Sequence, residues 1–157
     1  MSVFLEGVRS ALEPTAGEVS LAPRILAVVV RPDQLLDTVQ VLCDGHGFDL
    51  LLDITAVDWP ARDPRFDVVY HFYSTTQHVR VRVKTRVSET APTVPSLAAI
   101  YGSAGFMERE CHEMYGVAFD GNPDLRPILL YEGFVGYPLR KDYPKELEQP
   151  LVPYRTA

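Results

Sequence analysis

From Val79 to Val87 the chain alternates, with Thr85 the one polar residue on the valine parity. Val79, Val81, Val83 and Val87 share one parity, and Arg80, Arg82, Lys84 and Arg86 share the other. Only an extended strand sorts such a pattern into two faces, because its side chains point to opposite sides with a period of two. A helix would scatter the same residues around its circumference. The run therefore demands a sheet with one buried and one open face, the open one carrying four positive charges in line. Solvation accounts for such a strip, and docking of an acidic partner is the alternative. Residues 66–73 form a second extended run, and Ser74-Thr75-Thr76-Gln77 between the two has the length of a hairpin loop.

The rest of the first 116 residues builds around that pair. Residues 3–12 carry Phe4, Leu5, Val8, Ala11 and Leu12 at helical spacing, and Pro14 stops them. Residues 24–31 are a β-branched run ending at Pro32, the composition of a buried strand. Pro32 and Asp33 open a helix with Leu35, Leu36, Val39, Leu42 and Cys43 on one stripe, closed by Gly45 and Gly47. Residues 48–57 read as a strand, followed by turns over 58–64. Ser96 suits the cap of a short helix to Tyr101, and a longer helix runs from Ala104 to Tyr115 with Gly116 as its left-handed stop. The order α-β-α-β-β-β-α predicts an α+β fold, a two-layer domain with a mixed, partly antiparallel sheet over residues 1–116.

At 157 residues the chain has the length of one domain. Its 46% hydrophobic and 23% charged content excludes a disordered or fibrous class. A net charge of −6 argues against nucleic acid as a partner. The longest apolar run, Ile25–Val30, is far short of the roughly 20 residues of a spanning helix. The first residues carry no basic stretch before an apolar one, so no secretory signal is expected.

Residues 117–157 break the pattern. They hold six of the thirteen prolines, which leave no room for a useful helix. Yet Phe119, Tyr131, Phe134, Tyr137, Tyr143 and Tyr154 make them unlike a disordered tail. The inference is an extended arm that hides its aromatics against a partner and partly against its own domain. All strands and helices are expected before Val117, so removal of 138–157 should leave the domain folded.

The densest polar cluster is Glu108-Arg109-Glu110-Cys111-His112-Glu113. Helical spacing predicts Glu108 facing His112 and Arg109 facing Glu113. Glu110 then faces elsewhere, and at least one of Glu108, Arg109 and Glu110 is expected to bond to the arm or to another subunit. Cys111 and His112 lie about 100° apart on a helix and cannot share a metal ion. Two cysteines are also too few for a four-thiolate cluster. Asp53 and Asp58 fall on opposite sides of a strand and read as turn or capping groups. Nucleotide-binding loops and hydrolase elbows are missing, so no self-contained active site is expected.

One long stretch is specific. It reads Glu108-Arg109-Glu110, Met114-Tyr115-Gly116-Val117 and Gly121-Asn122-Pro123-Asp124-Leu125-Arg126. It continues through Ile128-Leu129-Leu130 to Gly136-Tyr137-Pro138-Leu139-Arg140-Lys141-Asp142-Tyr143-Pro144. With Asp53-Ile54-Thr55-Ala56-Val57-Asp58 upstream, it resembles the C-type (30 kDa-type) subunit of the bacterial proton-pumping NADH:quinone oxidoreductase, respiratory complex I. The resemblance implies a structural subunit without a cofactor of its own, with FMN and iron–sulfur clusters in partner subunits. It implies a place in the hydrophilic arm, peripheral on the cytoplasmic side of the cell membrane, with the C-terminal arm packed on the homologue of the D-type subunit. The candidate interface residues are Glu108, Arg109, Glu110, Arg126, Tyr137, Leu139, Arg140, Lys141, Asp142 and Tyr143. The equivalent subunit of a related membrane-bound hydrogenase or dehydrogenase is the alternative.

Overall fold

The computed structural model describes residues 3–22 and 25–147. Arg24, at the head of an expected strand, and Pro150, Pro153 and Tyr154 of the arm lie outside the described residues. Helix α1 (Val3–Leu12) forms as its spacing predicts and buries Val8 and Leu12. Strands β1 (Ala16–Ala22) and β2 (Ile25–Val30) then pair antiparallel. A tight 3-10 turn (Pro32–Gln34), helix α2 (Leu35–Gln40) and a widened π turn (Val41–Gly45) follow as one rod. Leu35, Val39 and Leu42 of that rod are fully buried, while Leu36, expected on the same stripe, stays exposed. Strands β3 (Leu50–Asp58), β4 (Phe66–Ser74) and β5 (Val79–Val87) come next. β6 (Thr93–Pro95), α3 (Ala104–Tyr115) and β7 (Ala118–Asp120) complete the order.

The five long strands are ordered β1-β2-β5-β4-β3, so the alternating run sits at the centre of the sheet. β2 and β5 are parallel and the other neighbours antiparallel, which makes the sheet mixed as expected. Val81, Val83 and Val87 face the core beside Phe66, Val68, Tyr70 and Phe72, under α1, the α2 rod and α3. Thr85 shares that parity, and its buried hydroxyl donates to Val30 O at 3.0 Å. The basic parity of β5 faces away from the helices, opposite Asp67, Val69, His71 and Tyr73 of β4. A register shift between Leu51 and Asp53 lets both Leu51 and Ile54 turn inward. Beyond the shift, Asp53 is exposed and Asp58 buried, on opposite sides as expected.

Three expectations need correction. β1 was not foreseen, because Gly17 and small residues leave only Glu18 to Leu21 in alternation, the lower limit of a readable strand. The short helix expected from Ser96 to Tyr101 is a single turn, in which Ile100 and Tyr101 both donate to Leu97 O at 2.9 Å. Ser96 Oγ does accept from the Ala98 amide at 3.1 Å, but α3 follows too closely for a second turn. Finally, β7 lies beyond Val117 and pairs in parallel with β6, so regular structure crosses the expected boundary. Two three-residue strands, one ending in Pro95, carry no readable period of their own.

Candidate partner interface

Helix α3 stands between the sheet and the arm, and its polar cluster ties the two together. Gly116 at φ +76° ends it, with its amide donating to His112 O at 2.7 Å. The expected intrahelical pairs do not form, because each group has a better partner outside the helix. Glu108, fully buried, accepts from Ser96 Oγ (2.7 Å), the Leu97 amide (2.6 Å) and Asn122 Nδ2 (2.7 Å). Its carboxylate thus staples the turn after β6 to the turn after β7. His112 donates through Nδ1 to Val117 O at 2.8 Å instead of meeting Glu108.

Arg109 reaches the arm. Its Nε donates to Arg126 O at 2.9 Å and its Nη2 to Pro127 O at 3.1 Å. Glu113 turns the same way and accepts the consecutive amides of Ile128 (3.0 Å), Leu129 (2.8 Å) and Leu130 (3.2 Å). Arg126 itself points outward and forks onto Asp124 at 2.8 and 2.9 Å. Glu110 is exposed and forms no ion pair among the described residues.

The second half of the arm folds back across the start of β4. Arg140 lies between the rings of Tyr137 (4.4 Å) and Phe66 (5.0 Å), and its Nε donates to Tyr115 O at 2.6 Å. A Cβ on Gly116 would stand 2.5 Å from Arg140 Nη2 and 2.6 Å from the Tyr137 ring. Only glycine permits both this close approach and the left-handed backbone. Leu139 donates through its amide to Met114 O at 3.2 Å while its side chain stays half exposed. The Lys141 amide donates to Asp58 Oδ2 at 2.7 Å. Asp142 accepts from Arg65 Nη1 at 2.9 Å rather than pairing with its neighbour Arg140. Tyr143 stacks on Phe134, which meets Tyr131 edge-on.

Arg65 is the hub of this closure. Its fork holds Asp58 at 2.7 and 2.8 Å, and its Nη1 also reaches Glu89 at 2.6 Å. Arg65 is 8% exposed and Asp58 is fully enclosed, so neither charge is free to leave its partner cheaply. Arg65, ahead of the Lys141 amide, holds the Asp58 carboxyl below the usual carboxylate range. The same guanidinium lowers Asp142. Burial pushes the Cys111 thiol upward, which keeps it an inert core group.

Of the ten expected interface residues, then, Glu108 is internal and Arg109, Arg140, Asp142 and the Lys141 amide bind the arm to the domain. Arg126, Glu110, Tyr137, Leu139 and the Lys141 side chain remain at the surface, and Tyr143 is half-buried against Phe134 within the arm. Ile128, Leu129, Tyr131, Val135 and Leu147 join them as exposed apolar groups along the arm. Sequence reasoning missed Arg65 and the Glu113 amide cradle. Nothing local marks Arg65, because its arm partner lies 77 positions away.

Residues 28–149 match the family described as the respiratory-chain NADH dehydrogenase, 30 Kd subunit. The NADH-quinone oxidoreductase C subunit of Rhizobium leguminosarum bv. trifolii is 56% identical over 150 residues, covering 92% of this chain and 74% of that protein. That of Phenylobacterium zucineum is 50% identical over 111 residues, 71% of this chain. The chain spans only 53% of the Phenylobacterium protein and 62% of the Bartonella bacilliformis one. Among solved structures, the trypsin-resistant fragment (1–134) of Nqo5 superposes with a TM-score of 0.66 at 29% identity, covering 77% of this chain and 96% of that one. A chain of the membrane-bound sulfane sulfur reductase, an archaeal respiratory membrane complex, reaches 0.78 at 31% identity, covering 90% and 86%. A match that runs from β2 through the arm latched by α3 and Arg65 puts this chain in the family of the 30 Kd subunit of respiratory-chain NADH dehydrogenase.

Proposed function

We propose that the chain is a structural subunit of an NADH:quinone oxidoreductase, which passes electrons from NADH to quinone and couples that transfer to proton translocation. Its part is assembly: the outer face of the arm docks on a neighbouring protein, the homologue of the D-type subunit, within the hydrophilic arm of the complex. The observation that carries this reading is the division of labour along the arm. Its backbone and inward charges are committed to α3, β3 and Arg65, while Leu129, Val135 and Leu139 are 63%, 72% and 50% exposed. Apolar side chains presented on an anchored backbone lose little freedom on docking. Such residues, with tyrosine and arginine beside them, form the cores of protein interfaces.

The redox groups, FMN and iron–sulfur clusters, are assigned to partner subunits. The donor set here is two cysteines on different elements, half-buried Cys43 and buried Cys111, where a cluster takes about four thiolates. Among the described residues no helix is long and apolar enough to cross a membrane. Membership in the family of a respiratory-complex subunit supports attachment to the membrane through the other subunits, and we place it peripherally on the cytoplasmic side.

A second reading has an observation of its own. The likeness to the sulfane sulfur reductase chain supports the equivalent subunit of a related membrane-bound hydrogenase or dehydrogenase. Purification of the tagged chain from its own membranes tests both. A complex that oxidises NADH and reduces quinone is the expected result, and a nickel-ligating large subunit without NADH oxidation would select the second. A chain recovered alone would sink both. Leu129→Asp combined with Val135→Asp is expected to lower incorporation while leaving the melting temperature of the isolated chain unchanged, since both side chains face outward.

A further inference from the structure

The face of the sheet away from the helices carries its own pattern. Every other arginine near it has a carboxylate. Arg86 forks onto Glu18 at 2.9 Å and lies 3.7 Å from Asp67, and Arg62 bonds to Asp67. Arg80, Arg82 and Lys84 form no ion pair among the described residues. They occupy alternate positions of the central strand, roughly 7 Å apart by strand geometry. Arg82 Nε is buried without a hydrogen-bond partner, so part of this guanidinium is already withdrawn from water and unsatisfied. That is a cost a carboxylate acceptor would remove.

The shoulders of the strip are mostly uncharged. Ala27 and Val29 of β2 lie beside Arg82 and Lys84 on one side, and Val69, His71 and Tyr73 of β4 on the other. Asp53 stands one strand further out, opposite His71, with an exposed carboxylate and no ion pair to the strip. Arg80 sits 5.9 Å over the Tyr73 ring, beside an open depression of about 610 Å³ bounded by Ile25, His78 and Val79. Burial first, and then the Arg82 charge, hold the His71 imidazolium below its usual range. The positive charge of the face is therefore that of the three basic side chains.

We propose that this face is a second docking surface, on which Arg80, Arg82 and Lys84 receive an acidic segment of a neighbouring protein subunit. It rests on the reading that the chain works inside a multi-subunit complex. Protein carboxylates suit the site better than other anions. Three unpaired cations are fewer than the four to eight clustered basic residues that bind anionic lipid. A chain of net charge −6 lacks the broad basic field that nucleic acid requires. A flat strand offers side chains at fixed intervals rather than a cradle of amides for a phosphate.

The test uses the complex purified with the tagged chain. Lys84 should react with an amine-acylating reagent about tenfold more slowly in the complex than in the isolated chain, as expected for an amine enclosed in an interface. A carbodiimide should join Lys84 to an Asp or Glu of another subunit, located by peptide mapping. The triple variant R80E/R82E/K84E should keep the melting temperature of the isolated chain and lose incorporation about tenfold or more, since like charges then meet. Changing the cross-linked carboxylate of the partner to lysine should restore it. Equal Lys84 reactivity in both states, normal assembly of the triple variant, or cross-links only within this chain would overturn the inference. So would binding of the isolated chain to vesicles of phosphatidylglycerol and phosphatidylcholine that the triple variant abolishes, which would assign the face to lipid. A wild-type chain that enters no complex would instead remove the membership reading, and this inference with it.

Discussion

Arg65 shows how far one side chain can reach across the sequence. It ends the turn before β4, yet its guanidinium joins β3 through Asp58 and the arm through Asp142. Arg65→Met should destabilise the isolated chain by about 3–5 kcal/mol, because it strands the enclosed Asp58 carboxylate. Arg65→Lys should fall between the two, since an ammonium cannot fork onto Asp58 and reach Asp142 together. Urea titration of the three proteins measures both. Asp58 and Asp142 have folded-state pKa values below their unfolded ones. Their stabilisation is therefore complete above the unfolded carboxylate value, about 3.9, and is lost as pH falls through the lower folded values. Unfolding free energy should accordingly drop below about pH 4 in the wild type. Asp58→Asn should be less stable at pH 7 and show a flatter acid limb. Asp58 could be noticed in the sequence as an acid at a strand end, but Arg65 could not, because no local spacing connects it to position 142.

At the scale of elements, periodicity served well where segments were long. α1, α3, β4 and β5 lie where their apolar spacing puts them, since a continuous stripe or alternation has one burial solution. The polar side of α3 was misread for a physical reason. Pairs at i, i+4 offer a few tenths of a kcal/mol at the surface. Backbone amides that must be satisfied when the arm packs down offer a buried carboxylate more. Glu113 therefore leaves Arg109 and takes the amides of Ile128, Leu129 and Leu130. Glu113→Gln keeps one acceptor oxygen and turns an NH2 group toward those donors. It should speed hydrogen exchange at these three amides by about tenfold, the equivalent of losing roughly 1.5 kcal/mol, with the far-UV signal of α3 unchanged. Unaltered exchange would mean that the cradle contributes nothing to holding the arm.

For the whole molecule, the arm is both part of the domain and the surface offered to others. Truncation at two points separates these roles. Removal of residues 144–157 leaves Arg140, the Lys141 amide and Asp142 in place, and the melting temperature should hardly move. Removal of 138–157 takes them away, leaving Asp58 and Arg65 under-satisfied, and should cost about 2–4 kcal/mol in a urea titration. The expectation that this second truncation is harmless treats the arm as an appendage, whereas the Arg65–Asp142 pair and the Lys141 amide on Asp58 tie residues 141 and 142 into the domain. What the amino-acid sequence determined alone was the sheet with one open basic face, the long helices and the family, because each rests on spacing within a continuous stretch. Only the tertiary structure decided where the arm lies and which charges are free. Those outcomes depend on which buried donors and acceptors meet across 15 to 83 positions, and local pattern holds no record of that.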